Sequence, residues 1–200
     1  MHFCKNLIFF FSLICIPFLG KATDITTNLH RVEKQLDAIK TLRANFTQKN
    51  SDGTIFKGEL FLKRPGYIKF LYDVPAEMVI VSNGERLIYF DPSTHQTSYL
   101  PLENSPAQLL LEAHLDFTKH ATLISFEEKE DRIKATLKTL RTCHFITLII
   151  DSRTKTLTGW VTKDPQGNEV TMEFSSIQKN PVFSDPDLFV FKKPRRSKKN

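Results

Sequence analysis

The sequence predicts a mainly β protein that carries two or three helices. An amphipathic helical stripe follows residue 24, and from residue 43 onward the apolar period changes from about 3.6 to about 2. Short strand-like runs then alternate with Gly, Pro, Asn and Asp turns, which is typical of an antiparallel meander. A sheet of about a dozen strands must curl, close or pair with a second sheet, and the helices are too few to coat both faces of a parallel sheet.

The first helix is predicted from apolar residues that recur every three or four positions between Ile25 and Leu42. Thr26 or Thr27 is expected to cap its start by accepting a hydrogen bond from a free N–H of the first turn. Because polar residues fill the other face, this helix must lie on an apolar surface.

A second, short helix is predicted after Ser105, which can act as its cap. Pro106 occupies the first helical position, and Leu109–Leu111 makes the segment very apolar. A further helical turn is predicted near residues 115–117.

About a dozen strands are predicted from the alternating runs and the turns between them. They are Arg43–Lys49, Thr54–Lys63, Tyr67–Asp73, Met78–Ser82, Arg86–Asp91, Gln96–Leu100, Ala121–Phe126, Arg132–Lys138, His144–Ile150, Leu157–Lys163, Glu169–Ser176 and Leu188–Phe191. No repeat, low-complexity segment or long linker indicates a second domain.

Residues 1–22 have the features of a cleavable secretory signal peptide. Lys5 precedes an apolar run, and Gly20 and Ala22 supply the small residues of a cleavage site before Thr23. The apolar run is shorter than the roughly 20 residues that span a bilayer, which disfavours an uncleaved anchor. We therefore expect an exported domain over residues 23–200 that has Cys143 as its sole cysteine and forms no intramolecular disulfide.

The net charge of +6 arises largely from the C-terminus, since six basic residues lie in residues 192–200. Such a run is typical of a mobile, solubilising tail, whereas a nucleic-acid interface needs basic residues spread over a folded face. We expect no nucleic-acid partner.

The sequence lacks the motifs of the common enzyme classes. It has no Gly-x-Ser-x-Gly elbow, phosphate-binding glycine loop, His-Glu-x-x-His motif or paired-cysteine metal spacing. Cys143 and His144 are adjacent, but neighbours in a strand point to opposite faces, so they do not form a nucleophile and base. We expect Cys143 to be packed, the histidines to lie at the surface or in loops, and the protein to need no catalytic residue, metal or cofactor.

The abundance of phenylalanine on the predicted strands leaves two interpretations open. It fits an ordinary β core, and it also fits a concave, aromatic pocket for an apolar ligand.

The chain resembles the LolA family of periplasmic lipoprotein carriers over essentially its whole mature length. The likeness rests on the order and spacing of several segments. These are Leu42–Gln48, Gly58–Gly66, Pro75, Ile80–Asp91, Asp164–Gly167 and Phe189–Phe191. Phe70 stands where the family often has a tryptophan, and the chain ends in a basic run instead of a longer strand-like close.

The resemblance implies an incomplete antiparallel β-barrel of about eleven or twelve strands, covered by a helical lid over an apolar cavity. Arg64, at the end of the strand before the Pro65-Gly66 turn, matches an arginine that holds the empty cavity closed in that family. Its partners are expected among backbone carbonyls or polar side chains near Ile25–Lys40 or Pro106–Phe117. The alternative is a surface arginine that ends a strand. The expected cavity residues are Leu29, Val32, Leu36, Phe46, Ile68, Phe70, Val81, Phe90 and Leu110.

The resemblance also implies a function. The protein would be a monomeric periplasmic chaperone of a Gram-negative bacterium without stable membrane insertion. It would take acylated lipoproteins from an inner-membrane lipoprotein-releasing ABC transporter and pass them to an outer-membrane lipoprotein acceptor. A sensor or a carrier of another lipid with a related fold remains an alternative, as does a periplasmic hydrolase.

Overall fold

Alternating apolar residues and tight turns build one large sheet in the computed structural model, which describes residues 25–193. Helix α1 spans Ile25–Asp37 and helix α2 spans Gln108–Leu111, with single-turn 3-10 helices at Leu102–Asn104 and Phe117–Lys119. The strands are β1 (Thr41–Asn50), β2 (Ile55–Lys63), β3 (Tyr67–Tyr72), β4 (Val79–Ser82), β5 (Arg86–Asp91), β6 (Gln96–Pro101), β7 (Ala121–Lys129), β8 (Arg132–Thr139), β9 (Phe145–Asp151), β10 (Thr156–Lys163) and β11 (Glu169–Lys179). The predicted signal peptide and residues 194–200 of the predicted tail lie outside the described residues.

The sheet is antiparallel throughout, in the order β6-β5-β4-β3-β2-β1-β11-β10-β9-β8-β7. The end strands β6 and β7 do not pair with each other, so the sheet is an open, incomplete barrel. Strands β1 and β11 pair at its centre and join the N-terminal half of the sheet to the C-terminal half. The fold class expected from the sequence is confirmed, with eleven strands.

One face of the sheet is concave and carries the main core. Helix α1 and residues 102–119, together called the helical cover, lie over this face. Five apolar side chains of the cover are at most 5% exposed. They are Leu29, Val32 and Leu36 in α1, and Leu110 and Phe117 in residues 102–119, the second part of the cover. Burying each such side chain contributes about 1.5–3 kcal/mol, so apolar contact is a large part of what holds the cover on the sheet.

Helix α1 ends five residues earlier than the apolar stripe predicts. Leu42 belongs to β1, where it alternates with the buried Ala44 and Phe46 on the concave face. The chain is turned between the helix and the strand by Asn180, whose Oδ1 accepts a hydrogen bond from the backbone N–H of Lys40 at 2.7 Å. Strand pairing therefore prevails over the helical period at this junction.

The twelfth predicted strand, Leu188–Phe191, is wrong, because this segment forms turns instead of pairing with the sheet. Its alternating aromatic residues pack on the convex face, where Phe189 contacts Tyr67 and Phe191 contacts Phe90 at ring-centroid distances of 5.6 and 6.0 Å. Lys69 of β3 also donates from Nζ to the Leu188 carbonyl at 2.7 Å. The alternation reflects side-chain packing without a strand ladder.

Candidate functional site

Arg64 joins the sheet to both parts of the helical cover. It follows the last residue of β2, and its backbone N–H donates to the Lys40 carbonyl at 2.8 Å. Its side-chain Nε donates to the Leu110 carbonyl at 2.6 Å, and Nη1 donates to the Leu36 carbonyl at 2.7 Å. The two acceptors lie in the last turns of α2 and α1, where carbonyl groups lack helical partners and carry partial negative charge.

The Arg64 side chain is buried, and the residue is only 9% exposed. Burial lowers the pKa of Arg64 to about 10, while the nearby charge of Asp37 acts in the opposite direction. The guanidinium therefore remains protonated at neutral pH. A cation buried beneath the cover thus binds main-chain oxygens from two helices at once.

Two carboxylates of α1 also bind the second part of the cover. Glu33 Oε1 accepts from the Phe117 N–H at 2.6 Å, and Asp37 Oδ1 accepts from the Leu115 N–H at 3.1 Å. They lie four residues apart and hence on one helical face. Burial raises the pKa of Asp37, but hydrogen bonds from Leu115, Lys40 and His114 outweigh it and hold that pKa below the ordinary value. The two parts of the cover are therefore joined as one unit.

The turn after Arg64 fits tightly against its neighbours. Gly66 has a φ of +83°, a conformation that glycine adopts at no steric cost. A Cβ at this position would lie 2.8 Å from the Gly84 Cα. The Gly66 N–H donates to the Leu111 carbonyl at 2.8 Å, and its carbonyl accepts from Ser82 Oγ at 2.7 Å. The turn thus fixes the position of Arg64 relative to α2.

A cavity of about 350 Å³ lies between the concave face and the second part of the cover. Its lining is mostly apolar, with polar side chains at the strand ends. The lining residues are Gln48, Phe70, Tyr72, Ile80, Leu87, Ser105, Pro106, Ala107, Leu110, His144, Ile146, Trp160, Thr162, Asp164, Asn168, Val170 and Met172. Ligand pockets in proteins run from about 300 to 1,000 Å³, so this cavity is small for a long-chain lipid while the cover is closed.

A larger cleft of about 560 Å³ lies on β7–β10, but eight of its ten lining residues are charged. It is therefore unsuited to an apolar ligand. Among residues 25–193, no group of three or more His, Cys, Asp or Glu is arranged to hold a metal ion. The helices within this range include none that is long and apolar enough to cross a membrane.

Comparison with known proteins identifies the family. The family described as outer membrane lipoprotein carrier protein LolA matches residues 37–192. The chain belongs to the LolA family. A protein of Pseudomonas aeruginosa named outer-membrane lipoprotein carrier protein is 27% identical over 180 residues, covering 86% of each chain.

Two further comparisons concern an uncharacterized relative and a solved structure. An uncharacterized protein of Rickettsia prowazekii is 29% identical over 189 residues, covering 94% of this chain and 88% of that protein. The crystal structure of MucB matches with a TM-score of 0.51 at 11% identity, covering 86% of this chain and 65% of MucB. At that identity the likeness to MucB concerns the fold alone.

In this LolA-family protein, the expected cavity residues lie in three places, which are the cavity lining, the closed core and the convex face of the sheet. Phe70 and Leu110 line the 350 Å³ cavity. A second group lies in the closed core between the cover and the sheet and does not line the cavity. This group is Leu29, Val32, Leu36, Phe46 and Ile68.

Val81 and Phe90 lie on the convex face, which corrects the expectation for both. Val81 pairs with Lys69, and Phe90 pairs with Val79, so all four point away from the cavity. Ile80 shares the concave face with its partner Phe70 and lines the cavity instead. The four residues of β4 include three consecutive apolar side chains, so the sequence carries no alternation from which to choose the face.

One further expectation, for Cys143, needs correction. Cys143 is exposed with a φ of +54° and is not packed. His144 lies in the loop before β9, within the expected placement, and it also lines the cavity. Strand parity could have indicated this, because Ile146 two residues later is buried on the concave face.

Proposed function

We propose that this protein carries acylated lipoproteins and holds their acyl chains in the apolar cavity beneath the helical cover. The observation that carries the proposal is an apolar cavity whose cover is held to the sheet and to itself by hydrogen bonds of Arg64, Glu33 and Asp37. Membership of the LolA family and the name of the Pseudomonas aeruginosa relative also support it.

In the proposed cycle, the cover acts as a lid and Arg64 as its latch. Opening would expose Leu110 and its neighbours to water at a free-energy cost of about 1.5–3 kcal/mol for each side chain. This cost disfavours an open, empty cavity. Incoming acyl chains would replace this lost apolar contact. The remaining cost of opening would then be the latch bonds, whose guanidinium and carbonyl groups are solvated by water once the lid has moved.

The finer steps of the proposal concern location, partners and direction. We infer that the protein works as a monomer in the periplasm of a Gram-negative bacterium. It would receive cargo from an inner-membrane ATP-driven release complex and deliver it to an outer-membrane acceptor. The cavity offers acyl chains non-directional apolar contact, so cargo can leave for a more apolar acceptor without any covalent step.

Native mass spectrometry of protein isolated from the periplasm tests this function. The wild-type protein should co-purify with diacylated or triacylated lipoprotein. Ile80→Glu would put a charge in the cavity and should abolish co-purification, because unpaired charge is strongly disfavoured beside acyl chains. Val79→Glu is the matched control, since the neighbouring side chain lies on the convex face, and it should retain cargo. A wild-type protein that is always empty and hydrolyses an ester substrate would overturn the proposal.

A further inference from the structure

The cavity has a polar rim at one end. His144 precedes the first residue of β9, and Asp164 follows the last residue of β10. Phe145 and Lys163 pair, so His144 and Asp164 lie side by side at this end of the sheet. Gln48, Thr162 and Asn168 also contribute polar groups near these strand ends, whereas Phe70 and Leu110 line the apolar part.

Most polar groups of this rim already have partners. Tyr72 Oη donates to Gln48 Oε1 at 2.6 Å, and Gln48 Nε2 donates to Asn50 Oδ1 at 2.7 Å. Asp164 accepts from the backbone N–H of Asn168 at 2.8 Å and from its Nδ2 at 2.7 Å. These bonds leave the amide and the carboxylate engaged within the protein.

His144 Nδ1 is the exception. Within residues 25–193, it is the one buried side-chain polar atom of the cavity lining that has no hydrogen-bond partner. Leaving such an atom unpaired costs about 1–3 kcal/mol, so it calls for an explanation. The backbone of the residue is fixed, because its N–H donates to Thr139 Oγ1 at 2.9 Å and its carbonyl accepts from the Thr139 N–H at 2.8 Å. A cavity-lining residue with an unpaired polar atom is a candidate for orienting a ligand that reaches this atom.

The surroundings select the chemistry of the group that His144 would bind. The hydrogen bonds from Asn168 hold the pKa of Asp164 below its ordinary value against the opposing effect of burial, so this carboxylate is charged at neutral pH. A negative charge beside His144 disfavours an anionic head such as a free fatty acid or a phosphate. A neutral carbonyl accepts a hydrogen bond from an imidazole N–H without that repulsion.

We propose that His144 donates a hydrogen bond from Nδ1 to an ester carbonyl of the diacylglyceryl group on an acylated cysteine. The acyl chains would then extend past Ile146 and Trp160 toward Phe70 and Leu110, while the peptide leaves at the polar rim. This inference rests on the proposed carrier function and adds a polar anchor to it. Chain packing alone would not set the depth at which the cargo sits, and the anchor would.

The test compares two synthetic ligands with two proteins. One ligand is a cysteinyl peptide that carries two ester-linked palmitoyl chains on its glyceryl group, and the other is the dialkyl ether analogue without these carbonyls. His144→Leu should weaken binding of the ester relative to binding of the ether by about 3- to 10-fold, which corresponds to one hydrogen bond. His144→Gln keeps a donor and should recover most of the ester affinity.

The outcomes separate the anchor from the carrier function. Equal weakening of both ligands by His144→Leu, or no weakening of the ester, would overturn the anchor and leave the carrier function standing. If the wild-type protein binds neither ligand, the carrier function itself is overturned. Should His144→Leu not fold, the wild-type protein still decides, because the anchor requires it to bind the ester more tightly than the ether.

Discussion

Replacing Arg64 by leucine tests the latch most directly. The guanidinium makes two hydrogen bonds to carbonyl groups of the helical cover, at 2.6 and 2.7 Å. Bonds to a charged group contribute about 1.5–3 kcal/mol each, or roughly 3–6 kcal/mol together. Burial of the charge opposes these bonds, and it lowers the pKa of Arg64 to about 10. The net contribution of Arg64 to closure is therefore small and favourable.

Leucine removes both the bonds and the burial cost, but it leaves the carbonyl groups of Leu36 and Leu110 without their donor. Each unsatisfied carbonyl in the closed cover costs about 1–3 kcal/mol, whereas water solvates it in the open state. We expect Arg64→Leu to favour opening by about 2 kcal/mol, which corresponds to roughly a 30-fold larger open fraction.

Amide hydrogen exchange measures this change at a defined position. The Gly66 N–H donates to the Leu111 carbonyl of α2 and so joins the sheet to the cover, and its exchange reports on closure. This exchange should accelerate by the same factor of about 30. Arg43→Leu is the matched control, because Arg43 is exposed and pairs with Glu59. Unchanged exchange of the Gly66 amide in a folded Arg64→Leu protein would refute the latch.

Asp37, the turn at Gly66 and the C-terminal aromatic contacts each give a further prediction. The pKa of Asp37 in the folded protein lies below the ordinary value of 3.8, so the contribution of its carboxylate to closure should persist above about pH 4 and be lost as the pH falls through the folded-state pKa. Chemical-shift titration of the Leu115 amide measures this transition, and Asp37→Asn should abolish it. Gly66→Ala should lower the free energy of unfolding in urea by about 1–3 kcal/mol more than Gly53→Ala does. Gly53 has nearly the same φ as Gly66, but a Cβ there would meet no neighbouring atom. Equal losses of stability in the two variants would contradict the steric argument. Phe189→Ala should release the C-terminal segment from the sheet and so accelerate proteolysis after residue 180. Val182→Ala is the control and should not accelerate it, because Val182 is 93% exposed. Equal proteolysis rates for the two variants would exclude a role for the aromatic contacts.

The strands were predictable because their turns are specified locally. Asn83-Gly84 and Pro65-Gly66 mark hairpins by residue type alone, and each flanking strand begins or ends within a few residues of its expected bound. The carbonyl partners of Arg64 likewise lie in the two segments where they were expected, one in each. The latch function itself stays a prediction.

The errors for Val81 and Phe90 arise because the sequence does not show which face of the sheet is covered. Val81 and Phe90 are as apolar as cavity residues because the C-terminal segment covers the convex face, where Phe191 contacts Phe90. Helix α1 ends early because pairing in β1 claims Leu42. Strand parity with Ile146 could have placed His144 at the cavity, but its missing hydrogen-bond partner is revealed only by three-dimensional packing.

The acceptors of Arg64 are main-chain oxygens, and this has a consequence for sequence drift. Residues 36 and 110 can change identity without losing the contact, as long as the helix ends keep their positions. We therefore expect little pairwise covariation between position 64 and these two positions among related proteins. Arg64 is the one residue of the contact whose side chain takes part in it, so residues 36 and 110 can be redesigned while the closure mechanism is kept.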